Sequence, residues 1–351
     1  MITKHHIFTD NSVDMDQIES NSIQLIVTSP PYPMVQMWDD IFSTQNPMIH
    51  DLISEGESTI VFQMMHQHLD DVWRECFRVL TPGGFLCINI GDATRTVNGK
   101  FSLFNNHTRI ITACLKIGFT SLPDIIWRKQ TNAPNKFMGS GMLPCGAYVT
   151  LEHEHILIFR KGNKREYKSE EEKSLRMKSA YFWEKRNIWF SDLWEIKGTK
   201  QDISTNTRER NAAYPVEIPY RLIRMFSQFG DCVLDPFLGT GSTTVAAVMT
   251  GRNSCGYDID AEFSKFTSNR IIELDCDKCR EFINKQLNEH IKYIEQREKS
   301  GKEVKYYNKN LNCKVMTKQE TEIELYYPYS IKTSNNIIEI EHKLLRNTNL
   351  F

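Results

Sequence analysis

The chain has 351 residues, 40% of them apolar, enough to bury one large core and a smaller appendage. A formal charge of −1 excludes a uniformly basic protein, and nine scattered cysteines, an odd number, argue for free thiols in a reducing compartment rather than a disulfide-stapled secreted domain. The opening Met1-Ile2-Thr3-Lys4-His5-His6 lacks the apolar stretch of a secretory leader, and no apolar run is long enough to span a bilayer, so the cytoplasm is the expected compartment.

In chain order, residues 7–9 and 23–27 read as strands, with a short helix expected over 15–18. The second strand runs into Thr28-Ser29-Pro30-Pro31-Tyr32. Paired prolines stop a strand abruptly, because proline lacks an N–H and the residue before it is held extended. The turn leaves the Ser29 hydroxyl and the Pro30 carbonyl beside the Tyr32 ring. Two oxygen acceptors next to a flat aromatic face suit a planar ligand carrying an amino group, such as a nucleobase turned out of its helix.

Leu69, Val72, Trp73, Cys76, Phe77, Val79 and Leu80 fall at helical spacing, and Thr81-Pro82-Gly83-Gly84 ends that helix before a strand over 85–90. A helix over 107–117 stops at Gly118, and strands follow over 125–128 and 156–159. Residues 33–57, 92–104 and 130–150 read as polar loops lining a cleft. Residues 160–212 carry fourteen Lys/Arg against nine Asp/Glu, a local +5, interleaved with Tyr181, Phe182, Trp183, Trp189, Phe190 and Trp194. Basic groups neutralise phosphates, and aromatics stack on bases or fill a core.

Cys232-Val233-Leu234-Asp235-Pro236-Phe237-Leu238-Gly239-Thr240-Gly241-Ser242-Thr243-Thr244 reads as strand, glycine turn and helix start, with Ser242 or Thr243 as the helix cap and Gly251 as its end. The next strand delivers Asp258 seventeen residues after Gly241 (258 − 241 = 17), a distance that suits a carboxylate meeting ribose hydroxyls. A nucleoside triphosphate does not fit this loop, since no lysine follows the glycines. A dinucleotide is disfavoured by Thr244 in place of a third glycine and by Asp235, which would repel a pyrophosphate. S-adenosylmethionine fits: it has a ribose for Asp258, no phosphate, and an ammonium for Asp235. Beyond residue 300, short strands are expected over 304–307, 321–327 and 337–340.

This ordered set resembles the amino-group DNA methyltransferases of restriction-modification systems, in the arrangement where the Ser-Pro-Pro-Tyr motif precedes the cofactor motif. The likeness spans roughly residues 7–270. It includes Thr9-Asp10-Asn11-Ser12, the stretch from Leu80 to Asp92, Asp124-Ile125-Ile126-Trp127-Arg128-Lys129, the run from Glu152 to Lys161, and Tyr214-Pro215-Val216-Glu217-Ile218-Pro219. It implies an α/β fold: a Rossmann-like, circularly permuted methyltransferase sheet with a target-recognition insert and a small C-terminal β appendage. The corresponding division is 1–160 for the catalytic half, 161–210 for target recognition, 211–300 for the cofactor half and 301–351 for the appendage.

The resemblance implies catalysis by Ser29, Pro30, Pro31 and Tyr32. It implies that Asp10 meets the cofactor adenine, that Pro236, Phe237, Gly239, Thr240, Gly241, Ser242 and Thr243 shape the cofactor pocket, and that Asp235, Tyr214 and Pro215 face its methionine end. In that family Ser-Pro-Pro-Tyr leans towards N4 of cytosine and Asp-Pro-Pro-Tyr towards N6 of adenine. The expected partners are double-stranded DNA and a cognate restriction endonuclease acting separately, in the prokaryotic cytoplasm or nucleoid, with the enzyme a monomer or homodimer. N6-adenine methylation, a methyltransferase acting on something other than DNA, and a DNA-binding protein that has lost activity are the alternatives. Carbon-5 methylation would need a cysteine nucleophile with a Glu-Asn-Val motif, and Pro144-Cys145 stands without one. No metal site is expected: Cys276 and Cys279 lack two further ligands at a recognised spacing, and His153 and His155 read as polar residues leading into a strand.

Overall fold

The computed structural model describes residues 1–129, 138–139, 141–198, 214–334 and 337–346. The first half of the chain forms β1 Ile2–Thr9, β2 Ile23–Thr28, α1 Asp39–Gln45, α2 Met48–Glu55, α3 Ser58–Val79, β3 Leu80–Ile90, β4 Ala93–Val97, β5 Lys100–Phe104, α4 Asn106–Ile117, β6 Phe119–Arg128, β7 Met138–Gly139, β8 Ala147–Tyr148 and β9 His153–Lys161. There follow α5 Glu170–Lys178, α6 Trp183–Trp189, β10 Leu193–Glu195, α7 Glu217–Phe226, β11 Cys232–Asp235, α8 Ser242–Thr250 and β12 Asn253–Asp258. Then come α9 Ala261–Ile272, α10 Cys276–Lys299, β13 Tyr306–Asn308, β14 Cys313–Val315, β15 Tyr326–Ser334 and β16 Ile337–Leu344.

Ten strands form one sheet in the order β10-β6-β9-β3-β2-β11-β12-β1-β16-β15. The run β3-β2-β11-β12-β1 is parallel throughout, while β9 lies antiparallel between β3 and β6. The period-2 pattern of β2 explains its central place. Ile26 packs on one face with Met65, Leu69, Val72 and Trp73 of α3. Leu25 and Val27 pack on the other with Ile218, Leu222 and Ile223 of α7 and Ala246 and Ala247 of α8. Strands buried on both faces are what an all-parallel core requires.

Several expectations change. Residues 15–18 form a turn, not a helix: Ile18 N–H reaches Met15 O at 2.8 Å, and the Arg78 guanidinium donates to both carbonyls from α3. The stretch 33–57 is largely helical, with α2 stopped by Gly56 at φ +87°. The stretch 92–104 is the hairpin β4–β5, turned by Asn98-Gly99 at φ +49° and +73°. Positive φ at both turn positions is what a two-residue hairpin asks for and what Asn-Gly supplies.

The C-terminal β segment is in two parts. β13 and β14 form a ribbon whose Cys313 and Val315 pack with Ile283 and Leu287 of α10. β15 and β16 extend the main sheet through antiparallel pairing of β16 with β1. The stretch expected as a strand over 321–327 becomes one only from Tyr326, after a tight turn over Lys318–Glu320. Among the described residues no helix is long and apolar enough to cross a membrane.

Candidate active site

β2 and β11 are neighbours, with Val233 opposite Leu25 and Leu234 opposite Ile26. Their carboxyl ends therefore release the Ser29-Pro30-Pro31-Tyr32 turn and the Asp235–Gly241 loop side by side. The chain leaves β11 towards β12 and leaves β2 towards β3, on opposite sides, so the sheet's topological switch point falls between the two loops. Crevices at such points are where open α/β sheets bind ligands.

A cavity of about 380 Å³ occupies this crevice. Its walls include Asp10, Ser29, Pro30, Pro31, Tyr32, Tyr214, Asp235, Pro236, Phe237, Gly239, Thr240, Ser242 and Asp258, all anticipated from the sequence. Pro215, Gly241 and Thr243 are not among its lining residues. The Thr243 hydroxyl contacts the Tyr214 hydroxyl and donates to Val27 O at 3.2 Å. It therefore does not cap α8, and neither does Ser242; the cap position is Gly241, at φ +75°. A Cβ on Gly241 would lie 2.3 Å from Thr267 Cγ2, so close packing, not ligand approach, demands glycine there.

Thr28 Oγ1 donates to Asp235 Oδ1 at 2.7 Å, and Phe237 N–H donates to the same oxygen at 3.1 Å. Burial pushes the Asp235 carboxyl up to about 6, against the lowering effect of its hydrogen bonds from Thr28, Thr243 and Phe237. Asp258 accepts the Gly239 N–H at 2.8 Å with Oδ2 and the Asp260 N–H at 2.9 Å with Oδ1. These two bonds let the Asp258 side chain shape the glycine loop. Asp10 sits beside it, its N–H on Asp258 O at 3.0 Å.

The turn after β2 is held by groups that sequence reasoning missed. Tyr32 Oη donates to Glu154 Oε2 at 2.9 Å, accepts from Asn89 Nδ2 at 2.8 Å, and lies 3.2 Å from Ser29 Oγ. Asn89 also donates to Glu154 at 2.7 Å, and the Lys129 ammonium pairs with the other Glu154 oxygen. Burial, followed by the Glu154 charge, holds the Tyr32 phenol well above its usual range, so it stays a donor. Lys129 and Glu154 line the cavity along with Trp38, Ile41, His68, Ile259 and Phe263. Glu154 lies on β9 with Ile156 and Ile158 and is itself only 8% exposed.

The aromatic residues of the basic segment divide. Phe182, Trp189 and Trp194 are buried in the core, Trp194 on the edge strand β10, whereas Trp183 and Phe190 stay about 40% exposed. Residues 199–210 of the expected recognition segment lie outside the described residues. Away from the cavity, Asp92, His107 and His155 bring three metal-capable groups together. His107 Nδ1 is 2.8 Å from the Asp92 carboxylate, and the two imidazoles stack at 4.0 Å and 14°. One potential ligand atom from each of the three lies within 4.8 Å of the others.

The profile of the DNA methylase family matches residues 23–270. The Type II methyltransferase M.MthZI of Methanothermobacter thermautotrophicus is 52% identical over 339 residues, 96% of this chain and 94% of that protein. M.MjaI of Methanocaldococcus jannaschii is 50% identical over 280 residues, 77% of this chain and 91% of that one. Among solved structures, a Thermus thermophilus protein described as a putative DNA modification methylase and complexed with S-adenosyl-L-methionine is 30% identical, with TM-score 0.59, covering 76% of this chain and 92% of its own. The PvuII cytosine-N4-specific DNA methyltransferase shares the fold at TM-score 0.53 and 18% identity, covering 82% and 93% of the two chains. A Rossmann-like sheet, two loops meeting at its switch point and these relationships together place the chain in the N6/N4 amino-group DNA methylase family, as a Type II DNA methyltransferase.

Proposed function

We propose that this enzyme methylates the exocyclic N4 of cytosine in double-stranded DNA, using S-adenosylmethionine, as the protecting partner of a separately acting restriction endonuclease. The observation that carries this reading is Ser29, a neutral hydroxyl opening on the same cavity as the Asp235–Asp258 loops. The cavity suits that cofactor in its chemistry. A buried carboxylate at Asp235 matches an ammonium, Asp258 matches a ribose diol, and Phe237, Ile259 and Phe263 offer apolar walls to an adenine. Lys129 is the one lysine or arginine lining it among the described residues, and that cation is paired with Glu154, so nothing there grips a phosphate.

When bound, S-adenosylmethionine supplies a methyl group made electrophilic by its sulfonium. The remaining obstacle is the target amine, whose lone pair is delocalised into the ring. Ser29 Oγ and the Pro30 carbonyl accept hydrogen bonds from the amine protons and favour the pyramidal nitrogen that forms during attack. Tyr32 holds the extruded base by stacking, worth about 1–3 kcal/mol. The nitrogen lone pair forms the new N–C bond as the S–C bond breaks, with that bond's electrons remaining on sulfur. The cationic amine then sheds one proton to water. Serine is too weak an acid for its alkoxide to form here, so positioning rather than proton abstraction supplies the rate.

The test is incubation with tritium-methyl S-adenosylmethionine and unmethylated duplex DNA, followed by digestion to nucleosides. Label in N4-methylcytosine supports the reading. Label in N6-methyladenine replaces it with the adenine alternative, and unlabelled DNA rejects both.

A further inference from the structure

A serine hydroxyl can face its target with a lone pair or with its proton, and only the first accepts a hydrogen bond from an amine. The mechanism above therefore requires that something else take the Ser29 proton. Ser29 Oγ lies 3.2 Å from the Tyr32 oxygen and 3.5 Å from Asn89 Nδ2, which can only donate to it. The contact with Tyr32 is ambiguous by itself, since either oxygen can donate across it.

The ambiguity is resolved one bond further on. Glu154 stands at the edge of the cavity, only 8% exposed, with the Lys129 ammonium paired to its Oε1. Its Oε2 takes the Tyr32 hydroxyl proton at 2.9 Å. With that proton committed, the Tyr32 oxygen acts only as an acceptor, receiving Asn89 Nδ2 at 2.8 Å and, by elimination, the Ser29 proton. Asn89 Nδ2 gives to Glu154 as well, at 2.7 Å, and Lys129 covers the other carboxylate oxygen, which balances the buried charge. Lys129 in turn lies 4.6 Å from the Trp127 ring centroid.

We propose that Glu154 is a positioning residue: acting through Tyr32, it sets the direction of the hydrogen bonds so that Ser29 presents its lone pairs to the target amine. The inference rests on Ser29 being the amine's acceptor. Glutamine at 154 would lose the direction while keeping the shape, because its amide can donate to the Tyr32 oxygen. Tyr32 would then donate to Ser29, and the serine proton would turn towards the amine it should accept from.

The experiment is a double-mutant cycle on the full-length enzyme with unmethylated plasmid DNA, reading kcat, KM for DNA and cofactor affinity by calorimetry. Glu154→Gln and Tyr32→Phe are each expected to lower kcat about 10- to 100-fold, the effect of one charge-assisted hydrogen bond. Cofactor affinity should stay within twofold, since neither change touches the Asp235–Asp258 loops. The Glu154→Gln/Tyr32→Phe double variant should be no slower than the slower single variant, because both cut the same relay.

Losses that multiply in the double variant would overturn the relay, as would single variants within twofold of wild type while Ser29→Ala is impaired. If Ser29→Ala itself keeps full activity, the reading of Ser29 has failed, not merely the relay. Should Glu154→Gln fail to fold, Tyr32→Phe decides: it deletes one oxygen and keeps the stacking ring, so a kcat within twofold of wild type overturns the proposal and a loss of the stated size supports it.

Discussion

Thr28 and Asp235 are 207 residues apart in the chain, yet a 2.7 Å hydrogen bond joins the hydroxyl of one to the carboxylate of the other. The bond ties the last residue of β2 to the last residue of β11, so the Ser29–Tyr32 turn and the Asp235–Gly241 loop start from one point. Both partners are buried.

Thr28→Val keeps the shape and removes the donor. A buried hydrogen bond to a charged group contributes about 1.5–3 kcal/mol. Urea denaturation should show a loss of that order, and kcat should fall more than tenfold because the two loops lose their common anchor. Unchanged stability and turnover would show that sheet pairing alone aligns them.

Gly241 tests the fold of the cofactor loop. At φ +75°, with Thr267 Cγ2 2.3 Å from where a Cβ would sit, Gly241→Ala combines backbone strain with a clash. We expect a stability loss of about 2–4 kcal/mol by chemical denaturation, with cofactor binding weakened alongside. A fully stable alanine variant would contradict the packing described here.

Asp258→Ala removes the acceptor of the Gly239 and Asp260 amides along with the ribose partner proposed for the cofactor. Calorimetry should show S-adenosylmethionine affinity falling by at least tenfold. The DNA-dependent KM should change little, since the proposed place of the target base is the Ser29 side.

Buried histidines make the fold acid-sensitive. Burial lowers His5 and His66 to about 3 and His342 to about 4, against 6.5 for the free side chain. Each contributes stability that is complete above pH 6.5 and is lost as pH falls towards the folded-state value. Asp235, raised to about 6, has the opposite sign and offsets one of the three. Unfolding near pH 5 therefore takes up protons on balance from these four groups, and stability should fall as the pH drops. Thermal melts between pH 6.5 and 4.5 should show a steep fall in Tm; a flat profile would mean that these rings are hydrated.

Legibility in the sequence followed the distance over which the chemistry acts. Pro30-Pro31 after an apolar strand and Gly239-x-Gly241 between two acids are local, and Pro30, Pro31, Gly239 and the acids Asp235 and Asp258 line one cavity. The Asn98-Gly99 turn of the β4–β5 hairpin is equally local. Glu154, Asn89 and Lys129 escaped because their role depends on β9 lying beside β3, an antiparallel insertion that no short-range pattern announces. Trp189 and Trp194 gave the opposite difficulty. Aromatic residues in a basic stretch look the same whether they await a base or fill a core, and only the pairing of β10 with β6 decides it.

Ultraviolet photolabelling with S-adenosylmethionine carrying a tritiated methyl group, followed by peptide mapping, tests most directly whether the two distant loops share one reaction space. Label is expected in peptides bearing Ser29 to Tyr32 or Asp235 to Ser242, abolished by excess unlabelled cofactor. Competable label confined to peptides that line no part of this cavity would contradict a shared reaction space.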